Sequence, residues 1–132
     1  MTEFLLDTEA ASRLLRADRF AVTHLRRSGA TALSISSVTM AELVYGARLN
    51  EAHPSLMVAV RAFLARIEVH SWDAEAAEAH ARIRLLAKRG GRSAGVLDVM
   101  IAAHALARGA TLVSRDATIK NLAIEGLIVV RW

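Results

Sequence analysis

Four acidic residues stand at points where a fold could bring them together: Asp7, Glu42, Asp98 and Asp116. Asp7 ends the apolar run Phe4-Leu5-Leu6, and Asp116 follows Thr111-Leu112-Val113-Ser114. Asp98 interrupts the otherwise apolar stretch from Val96 to Ala103. A carboxylate in such a setting needs a partner. Clustered carboxylates repel one another and raise each other's pKa unless a cation neutralises them. The chain has no Cys, and His104 is the one His near these segments, so the ligands would be oxygen and the ion Mg²⁺ or Mn²⁺ rather than zinc. Such an ion activates water and stabilises charge on a phosphodiester displaced in line, which makes nucleic-acid hydrolysis the chemistry the set points to. Each acid alone has a plainer reading. Asp98 suits the first turn of a helix, Glu42 could close a capping box opened by Thr39, and Asp7 and Asp116 could be strand-end turn residues. Only convergence of all four distinguishes the metal reading.

The elements that must position these acids follow from periodicity. Phe4 to Leu6 reads as a buried strand, and Ala11 to Arg27 as one helix stopped by Ser28-Gly29. Leu33 to Ser36 is a second strand, after which Ser37 or Thr39 caps a helix carrying Glu42. His53-Pro54-Ser55 starts another helix, Glu68 to Trp72 alternates like a strand, and Asp73 caps an Ala-rich helix ending at Arg89 before Gly90-Gly91. The apolar helix Val96 to Ala107 stops at Gly109; Thr111 to Ser114 and Leu127 to Val130 are the last strands. Alternating strands and helices predict a mostly parallel sheet covered on both faces, a three-layer α/β/α sandwich. In such sheets the functional crevice lies beyond the carboxyl ends of the strands, where Asp7 and Asp116 fall.

At 132 residues the chain has the length of one domain, 1–132. No apolar run approaches the roughly 20 residues that span a bilayer, and the N-terminus lacks the pattern of a secretory signal, so a cytoplasmic location is expected. Absence of Cys excludes disulfides, thiolate nucleophiles and Cys-ligated metals. The net charge of +4 suits a polyanionic partner and equally an Arg-rich soluble surface. The basic stretch Arg82, Arg84, Lys88, Arg89 and Arg92 could steer an RNA backbone or be a solvated helix end. Arg115 could contact phosphate or pair with an acid. The five His residues are scattered without ligand spacing, so surface or core roles are expected of them.

Four ordered blocks resemble the PIN-domain ribonucleases, and among them the VapC-type toxins of toxin–antitoxin pairs. They are Leu5-Leu6-Asp7-Thr8, the run from Ser36 through Glu42 to Gly46, the run from Leu97 through Asp98 to Ala105, and Leu112-Val113-Ser114-Arg115-Asp116. The ending from Ile124 to Trp132 is similar too, so the resemblance spans nearly the whole chain. It implies ligation of Mg²⁺ or Mn²⁺ by Asp7, Glu42, Asp98 and Asp116, with Thr8 and Thr39 near the ion. It also implies endoribonuclease activity on tRNA or other structured RNA, dimerisation, and silencing by a VapB-type antitoxin. Glu9 departs from the family pattern, which has Asn or Ser there, and no aromatic residue follows Asp116. A catalytically weakened RNA- or protein-binding module is therefore the alternative. A phosphoacceptor signalling domain is a third, disfavoured by the lack of a well-placed late-strand Lys.

Overall fold

The computed structural model describes residues 2–132. Five parallel strands form one sheet: β1 (Glu3–Leu6), β2 (Ala32–Ser36), β3 (Glu68–His70), β4 (Thr111–Val113) and β5 (Val129–Val130), in the order β3-β2-β1-β4-β5. The chain steps outward from β1 through β2 to β3, then crosses back to lay β4 on the other side of β1. The strand order thus reverses between β1 and β4, which is where open parallel sheets form a ligand crevice.

Alternation along β1 assigns its side chains to two cores. Leu5 packs with Leu112 of β4 on one face, against α5 (Ala74–Arg89), α6 (Val96–Arg108) and α7 (Ala117–Asn121), through residues such as Ile83, Ile101 and Ile119. Phe4 and Leu6 face the other way, toward α1 (Thr8–Leu15), α3 (Ser37–Leu49) and α4 (Pro54–Leu64), through Ala11, Leu43 and Val60. Helices on both faces make the three-layer sandwich expected from the alternating pattern.

Several local expectations are corrected. The single helix over Ala11 to Arg27 is two: α1 begins at Thr8, capped by Asp7, and α2 (Arg19–Arg27) is capped by Asp18, whose carboxylate accepts from the Ala21 N–H at 3.0 Å. Between them Ala17 takes a left-handed φ of 57°, which an L-residue tolerates only where the surroundings fix it; Asp18 is held there by the Arg13 guanidinium at 2.9 Å. The cap of α3 is Ser36, whose Oγ accepts from the Val38 N–H at 3.1 Å, and not Ser37 or Thr39. Thr39 is fully buried inside the helix, so no Thr39–Glu42 capping box forms. Strands β3 and β5 are shorter than their apolar runs, and the short α7 after Asp116 was not anticipated.

Candidate active site

Asp7 and Asp116 are placed by the two strands that flank the reversal. The Asp7 N–H donates to the Val113 carbonyl at 3.1 Å, extending the β1–β4 ladder by one residue, and the chain then turns into α1. One Asp7 oxygen caps that helix, accepting from the Ala10 N–H at 2.8 Å. Asp116 does the same for α7: its Oδ1 accepts from the Thr118 N–H at 2.8 Å and the Thr118 hydroxyl at 2.6 Å. Both are thus helix caps as well as strand-end residues, and capping consumes one oxygen of each.

Glu42 reaches the crevice from α3, where the Thr8 hydroxyl donates to its Oε1 at 2.7 Å. The same hydroxyl lies 3.3 Å from the Thr39 Oγ1, so Glu42 is held from α1 by Thr8, which itself contacts Thr39 of α3. Asp98 enters from the first turn of α6, at the third helical position after Gly95.

Electrostatics couple the four acids without drawing them into one contact cluster. Burial and then the charge of Asp116, a hydrogen bond to Asp116, and the charges of Asp7 and Glu42 push Asp98 up from the ordinary 3.8 to about 6. Asp7 is raised chiefly by burial and further by Glu9 and Asp116, against the bonds from Ala10 and Ser114. Burial would raise Asp116 too, but the Thr118 bonds and the bond with Asp98 outweigh it and hold Asp116 low. The proton shared by this pair therefore rides on Asp98. Among the described residues, no Lys, Arg or His forms an ion pair with any of the four.

The donor set fits a hard divalent cation: oxygen throughout, strained by its own charge, with no protein cation to relieve it. Among the described residues, however, no three acidic or His side chains are drawn close enough to wrap a bare ion. Mg²⁺ keeps several waters and takes only one or two carboxylates directly. Asp98 and Asp116, which a hydrogen bond brings together, are the pair such an ion would use first.

Sequence reasoning missed two contributors. Ser114, buried at the end of β4, touches Asp7 and also accepts from the Asp116 N–H at 3.0 Å. Its position two residues before Asp116 was the available signal. Gly95 lies against the Asp98 carboxylate. Other residues fall elsewhere: the Arg115 Nε–H donates to the main-chain oxygen of Trp132 at 2.6 Å, and among the described residues Arg115 forms no ion pair with an Asp or Glu side chain. His104 is a core residue whose Nδ1 lies 2.8 Å from the Ser36 Oγ.

The molecule is thus a doubly wound α/β/α domain with acidic residues beside the reversal of its parallel sheet and, among the described residues, no cation paired with them. The PIN domain model matches residues 4–125. The chain is 34% identical over 116 residues to the tRNA(fMet)-specific endonuclease VapC of Shigella flexneri, and 32% identical over the same length to that of Salmonella typhimurium; each match covers 88% of both chains. Among solved structures it is similar to a chain of VapBC2 from Rickettsia felis bound to a promoter DNA fragment, with a TM-score of 0.88, 25% identity and 99% of both chains covered. DNA-bound VapBC from Salmonella typhimurium superposes with a TM-score of 0.85 at 29% identity, covering 100% of this chain and 99% of the other. The chain belongs to the PIN domain family, on its VapC ribonuclease branch.

Proposed function

We propose that this chain is one catalytic domain, a divalent-metal-dependent endoribonuclease that serves as the toxin of a toxin–antitoxin pair. The observation that supports the reading is that Asp116, Asp7 and Glu42, from three other segments, all bear on Asp98 electrostatically, while among the described residues no Lys, Arg or His pairs with any of the four. Asp98 and Asp116, with Asp7 and Glu42 directly or through water, would hold Mg²⁺ or Mn²⁺. When bound, the ion would supply an acidified water and neutralise charge on the phosphodiester.

The chain's own residues do the remaining work. Asp98, pushed up to about 6 by burial and by its acidic neighbours while no cation is bound, would give up that proton on taking the ion, so metal binding should tighten as pH rises through this range. Asp116, anchored by Thr118, keeps the Asp98 carboxyl oriented. Thr8 prevents Glu42 from swinging toward solvent, and Ser114 fixes Asp7 relative to Asp116. Glu9 is exposed and contributes only added charge at Asp7, so it removes no ligand and does not favour the weakened-module alternative.

Likeness to the two tRNA(fMet)-specific enzymes makes a structured tRNA the substrate of choice. Likeness to VapBC complexes makes a VapB-type antitoxin the silencing partner. Leu85, Leu86, Val96 and Leu97 are exposed apolar residues on α5 and α6, and their exposure is in keeping with a homodimer. No described helix is long and apolar enough to cross a membrane, and an enzyme acting on tRNA would meet its substrate in the cytoplasm. Purified protein incubated with total tRNA and Mg²⁺, followed by sequencing of new RNA ends, tests the proposal. One dominant cut that is lost in Asp7→Asn and Asp116→Asn supports it; cutting that survives both substitutions rejects it.

A further inference from the structure

Gly95 precedes α6 with φ −59° and ψ 139°, extended backbone that any residue adopts without strain. Nothing in the main chain at this position requires glycine. A Cβ built on Gly95, however, would stand 2.8 Å from the Asp98 Oδ2 and 3.6 Å from its Cγ. The atom it would strike is the carboxylate itself, and no backbone or apolar neighbour lies close to that Cβ. The missing side chain is therefore the space in which the Asp98 carboxylate sits. From there Asp98 reaches the hydrogen bond it shares with Asp116. We propose that Gly95 is a positioning residue of the active site, its bare Cα letting the Asp98 carboxylate lie back over the start of α6 and meet Asp116.

The claim rests on the metal-site reading for its function and on sterics alone for its geometry. Any side chain at 95 forces Asp98 to rotate, since the contact lies well inside van der Waals distance. The helix itself survives, because Ala is compatible with the backbone there and restricts the unfolded chain more than Gly does. The fold is therefore little affected while the site is, which separates positioning from a structural role.

Two measurements on the full chain decide the matter. Thermal melting in EDTA is compared for wild type, Gly95→Ala, Asp98→Ala and the double variant. With the carboxylate gone, Gly95→Ala leaves Tm nearly unchanged, because Ala's restriction of the unfolded chain is offset by its being a poorer N-cap than Gly; with Asp98 present, the same substitution lowers Tm. Equal shifts in both backgrounds overturn the proposal. Titration of Mn²⁺ by electron paramagnetic resonance of the free ion then reads the site without any RNA. Gly95→Ala weakens binding about tenfold, the scale seen when an outer-shell support is lost, while Gly95→Ala keeps its fold. Unchanged Mn²⁺ affinity, or weakening with a fall in Tm that persists in the Asp98→Ala background, overturns the positioning role. A wild type that binds no Mn²⁺ refutes the nuclease reading instead, and the melting comparison still decides whether Gly95 positions Asp98.

Discussion

Replacing Asp98 by Asn removes the charge that Asp116, Asp7 and Glu42 oppose, while the amide can still donate a hydrogen bond to Asp116. The rise of Asp98 from 3.8 to about 6 measures that opposition. At about 1.4 kcal/mol per pH unit the ceiling is roughly 3 kcal/mol, and partial exposure of the carboxyl discounts it to about 1–1.5 kcal/mol. For a chain of this length the gain corresponds to a Tm higher by about 3–6 °C. The pH window follows from the sign. Asp98 binds its proton more tightly in the folded state, so its ionisation erodes wild-type stability as pH rises from the ordinary value toward about 6. Well below 3.8 the side chain is neutral in both states and Asn confers nothing, and at pH 4 only a small part of the gain has appeared. The assay is thermal melting by circular dichroism in EDTA at pH 4 and pH 7.5, beside a cleavage assay. The variant should be inactive and yet more stable, chiefly at pH 7.5. A variant less stable than wild type at pH 7.5, or equally stabilised at both pH values, would refute the account of the site as a cluster held under charge repulsion.

Thr8→Val deletes the hydroxyl that donates to Glu42 at 2.7 Å; we expect a roughly 10-fold loss of divalent-ion affinity, read by calorimetry, with a stability change of only about 1 kcal/mol. Two adjoining cavities of about 470 and 700 Å³ share Arg92 and Ser93 and are also lined by Arg84, Lys88, Lys120 and Thr118, the residue bonded to Asp116. If RNA backbone lies there, each of Lys88→Gln and Arg92→Gln lowers the slope of log affinity against log salt by about 0.7–1; an unchanged slope would place the strand elsewhere. His104 is held neutral first by burial and further by the charges of His70 and Arg108, against the pull of Asp73 and Glu3. Its folded pKa is below that of the unfolded chain, so stability falls as pH drops through about 6.5. In His104→Gln that acid-side decline should flatten in melts between pH 7.5 and 5.

The strand-end acids were legible because short apolar runs closing on Asp carry their own place in a parallel sheet: Phe4-Leu5-Leu6-Asp7 and the run up to Asp116 need no tertiary knowledge. Asp98 was legible because a carboxylate amid Val, Leu, Met and Ile has no apolar explanation. The break at Ala17 was hidden, since apolar periodicity continues across it and only the Arg13–Asp18 contact reveals Asp18 as a cap. Local reasoning paired Glu42 with Thr39, three residues away; the fold instead supplies Thr8, thirty-four residues away, which no local pattern encodes. Gly95 and Ser114 matter only through what stands beside them after folding. Their residue types are ordinary for a loop and a strand end, so the sequence carried little to mark them.

The central claim is that carboxylates from distant segments cut RNA only around a divalent ion. Single-turnover cleavage of a structured RNA, with the metal-stripped protein first in EDTA and then after excess Mg²⁺ or Mn²⁺ is restored, tests it most directly. The account predicts no cutting in the chelator, recovery on adding either ion, and none at any stage with Asp98→Asn. Cleavage at full rate in EDTA, or by Asp98→Asn, would contradict it.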